Sequence, residues 1–288
     1  MGEMLELAKK NLVERLKDNP CRGVVVGRME DGNAVQMSWI MGRSPNSQNR
    51  VYVAEKDVLR TEAADESKVD NPELIIYTAM KAIVSNFYAA HIVSNGDQTD
   101  SLWSSFADDG IHIGAFADCM LTRYCEPDAP TFTARITGYT SSQKMHTANL
   151  SVLRASPIAK ELWLDTIAKQ GLKRDDFESP EAFNAVVGKY CGLSHRAFPT
   201  IRSTFQMPVK EGFGYCITTY APGGKTLPPF EGEPFLVPIQ GDIEEVTGTF
   251  WAHLEPEWKV ALGAKLITDN KSYEMQEPIN RFDKVTGD

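Results

Sequence analysis

The chain has 288 residues, enough for one large domain or two small ones, and its 42% hydrophobic and 24% charged content suits a globular protein with a good core. A net charge of -9, from 39 acidic and 30 basic residues, excludes a general nucleic-acid surface but leaves room for a small anion held by a few arginines. The charged, amphipathic N-terminus lacks an apolar signal core, and no stretch approaches the ~18 uninterrupted apolar residues of a membrane span, so no membrane partner is expected.

Residues 3–18 place Leu5, Ala8, Leu12 and Leu16 on one helical face, and Asn19-Pro20 ends that helix. Gly23 to Met29 reads as a buried strand, Glu30-Asp31-Gly32-Asn33 as a turn, and Ala34 to Met41 as the returning strand. Gly42 to Arg50 reads as a polar loop, Val51 to Ala54 as a strand, and the charged 56–71 segment as a surface loop. Leu74 to Val84 and Phe87 to Val93 are rich in β-branched and aromatic residues and are expected to be strands. Ser101 to Asp108 suits a short helix capped by Ser101, and Arg135 to Tyr139 another strand. Residues 157–193 read as mainly helical, with Ser179-Pro180-Glu181 opening the second helix. Gly212 to Tyr220 reads as a strand, Pro222 to Pro238 as a loop, Gly241 to His253 as a helix and Trp258 to Thr268 as a strand. No repeat or clear linker interrupts the chain, so a single domain is expected, with a helical insertion around 150–210.

Cys21, Cys119, Cys125, Cys191 and Cys216 lack CxxC spacing, which suits reduced thiols in the cytoplasm. His91, His112, His146, His195 and His253 form no HxxxH or HxH pair, so no metal site is expected.

Three polar segments adjoin apolar strands. Gly42 to Arg50 carries Arg43, Ser44, Asn49 and Arg50, groups that grip phosphate, although an ordinary solvated loop has the same composition. Val93 to Asp100 combines an Asn-Gly turn with Asp, Gln, Thr and Asp. Glu126 to Ile136 places carboxylates just before a strand that opens with Arg135, which would equally pair with Asp128 at the surface.

Together, Val26-Gly27-Arg28, the loop ending in Asn49-Arg50, Asn71-Pro72 followed by Tyr77, Ser-Asn-Gly-x-x-Thr-Asp over 94–100, and Thr133-Ala134-Arg135-Ile136 resemble the archaeal-type IMP cyclohydrolases, in the family's order. The resemblance covers about residues 22–140 well and the C-terminal third loosely. This chain is longer, carries Pro45-Asn46-Ser47-Gln48 in the arginine loop, and has Thr-Ala where the family usually has Thr-Pro.

The resemblance implies an α+β fold: an αββα four-layer sandwich of mostly antiparallel sheets, like the N-terminal-nucleophile hydrolases but without an N-terminal nucleophile. It implies closure of 5-formamidoimidazole-4-carboxamide ribonucleotide to inosinate, with no cofactor. Arg28, Arg43 and Arg50 are then candidates for the phosphate and pocket rim, with Ser44, Asn49 and Thr133 as further substrate contacts. Asn95, Gly96, Gln98, Thr99 and Asp100 would read the carboxamide and ribose. Tyr77 would orient the formyl group or donate a proton, Arg135 would face developing negative charge, and Glu126 would serve as acid or base. On sequence alone Tyr77 is equally a half-buried strand tyrosine, and Glu126 is more commonly an exposed loop residue. A homo-oligomer is left open. Two other readings stay open: an amidohydrolase using Cys21 after processing, and a nucleotide binder without catalysis.

Overall fold

The computed structural model describes residues 2–69, 76–85, 88–126, 128, 131–141, 146–178, 180–191, 200–222, 227–269 and 272–284. Helix α1 (Gly2–Leu16) buries Ala8, Leu12 and Leu16, one residue per turn along one stripe. Strands β1 (Gly23–Arg28) and β2 (Ala34–Met41) form the antiparallel hairpin that the turn signal predicts, with Gly23 opposite Trp39 and Arg28 opposite Ala34.

Around this hairpin a seven-stranded antiparallel sheet assembles. On the β1 side lie β10 (Phe213–Thr218) and β11 (Phe235–Pro238). On the β2 side lies β12 (Lys259–Ile267), edged by β13 (Tyr273–Met275) and β14 (Ile279–Asn280). The second sheet is an antiparallel meander in chain order: β3 (Arg50–Glu55), β4 (Val58–Ala63), β5 (Thr78–Val84), β6 (Ala89–Ser94), β7 (Arg135–Ser141), β8 (Thr147–Ala155) and β9 (Thr200–Pro208).

The alternation of side chains along β2 assigns its faces. Gln36 and Ser38 point at the other sheet, donating to the His91 carbonyl and bonding the Tyr52 hydroxyl. Trp39 points outward against Phe250 of α7 (Ile243–His253), which covers the first sheet together with α1. Close contact between the sheets at Gly138 explains that glycine, because a Cβ there would lie 2.8 Å from the Val26 methyl. On the far side of the second sheet, α3 (Gln98–Asp109) and α4 (Ile113–Leu121) bury Leu102, Phe106 and Phe116 against Ile92 and Tyr139. The layers are therefore helix, sheet, sheet, helix. A satellite core forms where Trp163 of α5 (Pro157–Gln170) and Val187 of α6 (Pro180–Tyr190) meet Phe132 and Ala155. Among the described residues no helix is long and apolar enough to cross a membrane.

Several local expectations need correction. The 56–71 segment contains β4: Leu59, Thr61 and Ala63 alternate inward while charged Arg60 and Glu62 point out, so charge hid the period of two. Residues 70 and 71 of that segment lie outside the described residues, as do Leu74 and Phe87 of the next two predicted strands. Helix α3 opens at Gln98 after Asp97, so Ser101 sits inside its first turn rather than at its cap. The 150–210 segment is helical only between the strands: it starts within β8 and takes in all of β9, and β8 is buried almost continuously, leaving no alternation to read. Pro222 to Pro238 ends in β11, and the Gly42–Arg50 loop contains one helical turn, α2 (Pro45–Gln48), capped by Ser44 with proline at its start.

Candidate functional site

Hairpin geometry puts the residue before β1 and the loop after β2 at the same end of the sandwich. There a cleft of about 410 Å³ is lined by Arg22, by Arg43, Ser44, Asn46, Ser47 and Arg50 of the loop, by Glu126, Asp128 and Thr133 from the segment before β7, and by Tyr220 after β10. Arg22 is 9% exposed and donates to Glu126 Oε1 at 2.6 Å and to the Asn95 carbonyl at 3.2 Å. Burial opposes the charge on Arg22, yet Glu126, with help from Tyr77 and Tyr220, raises its pKa above the ordinary arginine value.

Arg50 is buried beside it and donates to the Ser47 and Met41 carbonyls at 2.8 and 2.9 Å, which fixes the loop to the end of β2. Its pKa is lowered mainly by burial, with Arg22 adding repulsion. Arg43 is exposed at the rim, and no ion pair or hydrogen bond engages its guanidinium among the described residues. Gly42, just before it, tolerates no side chain, since a Cβ would come within 2.5 Å of the Ser47 backbone. Ser44 and Ser47 spend their hydroxyls on capping α2.

The segment before β7 brings the carboxylates. Glu126 has Arg22 as its ion partner. Asp128 has none among the described residues; it accepts from the Thr133 amide at 2.6 Å and from the Thr133 hydroxyl at 2.5 Å, and Tyr220 Oη lies 2.6 Å from that hydroxyl. Burial, then the charge of Glu126, pushes Asp128 up to about 7 against the pull of those hydrogen bonds and Arg22. Tyr77 is half-buried behind the cleft. Among the described residues its hydroxyl is buried without a regular hydrogen bond, and it lies close enough to Tyr52 to help hold that group's pKa up, although burial is the main cause there.

The site thus combines three guanidinium groups with two carboxylates, the chemistry of an anion-binding pocket with proton-transfer capacity. The family model described as IMP cyclohydrolase-like protein matches residues 20–271. The chain belongs to the IMP cyclohydrolase-like family. No curated protein matches it.

Of the family-like positions, Arg43, Ser44, Arg50, Glu126 and Thr133 line the cleft, and Tyr77 stands behind it. Arg28 does not: it lies at the turn end of β1, donates to the Gly32 carbonyl and pairs with Glu211. Asn49 braces the loop from outside, exchanging hydrogen bonds with the Asp65 backbone. Arg135 pairs with Asp97, which also binds Arg123; burial lowers the Arg135 pKa, and Glu126 is the largest opposing influence.

The 94–100 segment is a structural knot. Asn95 accepts from the Ile136 amide at 2.8 Å and donates to the Ala134 carbonyl, Gln98 donates to Asn95, and Thr99 bonds Ser94 at 2.6 Å. Gly96 sits against Gln98, and Asp100 turns outward to Lys81. These residues therefore stand outside the cleft lining, and their part is to hold Arg22 through the Asn95 carbonyl.

Cys21 is fully buried, and burial pushes its thiol up to about 12, which does not suit a nucleophile. Among the described residues no group of three His, Cys, Asp or Glu could hold a metal ion.

Sequence reading missed Arg22, Asp128 and Tyr220 as cleft residues. The signal for Arg22 was available, because an arginine directly before an apolar strand shares an end with the loop after the returning strand. In the sequence Asp128 stands out only as a surface partner for Arg135, and nothing local distinguishes Tyr220.

Proposed function

We propose that this chain closes the purine ring of 5-formamidoimidazole-4-carboxamide ribonucleotide to give inosinate and water, in the cytoplasm, on a fold related to the N-terminal-nucleophile hydrolases. The observation that carries the reading is the convergence of Arg22, Arg43 and Arg50 on one cleft with Glu126 and Asp128, in a chain of this family. Arg43, free at the rim, takes the 5′-phosphate, with Arg50 behind it. Arg22, anchored by Glu126, offers a fixed donor toward the oxyanion that forms on the formyl oxygen. It takes over the role that the resemblance gives to Arg135, whose guanidinium is engaged by Asp97.

The reaction is intramolecular, so holding the carboxamide nitrogen against the formyl carbon supplies much of the acceleration. Tyr77, which stands behind the cleft and acts on Arg22, would help to orient the substrate's reacting end. The chemistry itself calls for neither a redox group nor a metal.

The test is direct. Purified protein incubated with the formamido nucleotide should show the absorbance change of ring closure, with inosinate identified by mass. Arg43→Ala should raise KM roughly tenfold to a hundredfold, the worth of ~1.5–3 kcal/mol for a charge-assisted hydrogen bond, at nearly constant kcat. Wild-type protein without turnover would reject the reading.

A further inference from the structure

The two carboxylates of the cleft differ in what surrounds them. Glu126 is bound by a guanidinium. Asp128 has no cation within ion-pair distance among the described residues, and both of its oxygens are held by one residue, Thr133, through amide and hydroxyl. A threonine hydroxyl has a single proton. If Thr133 gives it to Asp128, Tyr220 must donate its own proton to Thr133 Oγ1, so the three groups form a directed chain, Tyr220 to Thr133 to Asp128. All three line the cleft.

The geometry points to Asp128 as the proton carrier of the ring closure, a catalytic residue, with Thr133 and Tyr220 as the positioning residues that aim it. This rests on the cyclohydrolase reading above. Paired carboxylates in unlike environments divide their labour: one stays committed to a cation, the other exchanges protons.

The proton balance closes on one group. The carboxamide nitrogen attacks the formyl carbon, the N–C bond forms and the carbonyl pair moves to oxygen. Asp128 takes the proton that the nitrogen sheds and returns it to that oxygen. The C–O bond then breaks while the former formamide nitrogen loses its proton through Asp128 to the departing hydroxyl, leaving a C=N bond and water. Two N–H protons leave, both end on water, and Asp128 finishes unchanged. Burial supports the assignment, since Asp128 titrates at about 7, where donor and acceptor forms are both populated.

The charged and titratable groups around Asp128 are Glu126 and Cys125 on its own segment, Arg22 before β1, Arg135 opening β7, and Tyr220 after β10. Lys160 of α5 reaches the Thr131 carbonyl nearby.

The experiment is a pH profile of kcat with the formamido nucleotide, chosen over KM because the substrate phosphate itself titrates at about 6. Wild-type kcat should fall below pH about 7, as the accepting carboxylate is lost. Asp128→Asn should lower kcat by roughly 10²- to 10⁴-fold, remove that inflection, and bind inosinate by calorimetry within about threefold of wild type. Tyr220→Phe should move the inflection to higher pH with KM unchanged, because a Thr133 relieved of its donor stabilises the carboxylate less. The assignment is overturned if Asp128→Asn keeps wild-type kcat, or loses rate while keeping the inflection. Should Asp128→Asn fail to fold, an unmoved inflection in Tyr220→Phe overturns it instead. Loss of turnover confined to Asp128 variants leaves the cyclohydrolase reading standing, whereas an inactive wild type removes both.

Discussion

Arg22 and Glu126 meet as two charges with side chains only 10% exposed each, so each depends on the other. Removing one partner strands a buried charge, which typically costs about 3–5 kcal/mol, whereas removing both leaves no charge to solvate. Arg22→Met should therefore lower the denaturant midpoint sharply. Arg22→Met combined with Glu126→Gln should be more stable than Arg22→Met alone, a coupling that a double-mutant cycle reads directly. A single variant within about 0.5 kcal/mol of wild type, the range of an ordinary surface change, would contradict this account of the site. The pair also shows what sequence could give. Arg22, like Glu126, stands in plain view, but their pairing joins residues 104 positions apart, and no local pattern encodes it.

At the scale of elements, the turn between β6 and α3 is informative because its residues look like ligand contacts and act as joinery. The Asn95 side chain serves the Ile136 amide and the Ala134 carbonyl on β7 and the strand's approach, while its own carbonyl holds Arg22. Asn95→Ala would leave the amide and carbonyl unpaired in the interior, at about 1–3 kcal/mol each. The variant should melt at lower temperature and, below its transition, keep a KM close to wild type. A raised KM with unchanged melting would instead return Asn95 to substrate contact. Short polar side chains satisfy a backbone and a ligand with the same groups, so composition cannot separate the two roles. Turn signals and apolar runs gave β1, β2, β7, α1 and α7 close to their observed limits. What escaped were elements whose period was masked, as in charged β4, or absent, as in the wholly buried β8. The end of the hairpin that bears the site followed from topology alone, and Arg28 lies at the other end for the same reason.

Across the whole molecule, two sheets facing each other must bury whatever their inner faces carry, and here that includes Lys265, which has no exposed surface. It stands across from Gln36 on β2, donates to the Lys81 carbonyl at 3.2 Å, and finds no carboxylate in ion-pair range among the described residues. Burial lowers its pKa to about 7 from an ordinary 10.5. Nearby His91, pushed down to about 2 by burial and by Lys265, offers no compensating charge. Between pH about 7 and about 10.5 the unfolded chain therefore binds more protons than the folded one, so this residue makes stability rise with pH across that window. Below it the amine is charged in both states and the full cost of burying it is felt. Lys265→Met keeps the volume and removes the amine, at the lesser cost of one unpaired carbonyl at Lys81. It should raise the melting temperature at pH 7, by roughly 2–4 °C for each kcal/mol recovered, and the margin over wild type should shrink as the pH approaches 10. Melting curves at pH 7 and pH 9.5 decide the matter. A variant that melts lower at pH 7, or keeps a constant margin at both, would mean that Lys265 is held by favourable contacts rather than carried as an unpaired charge.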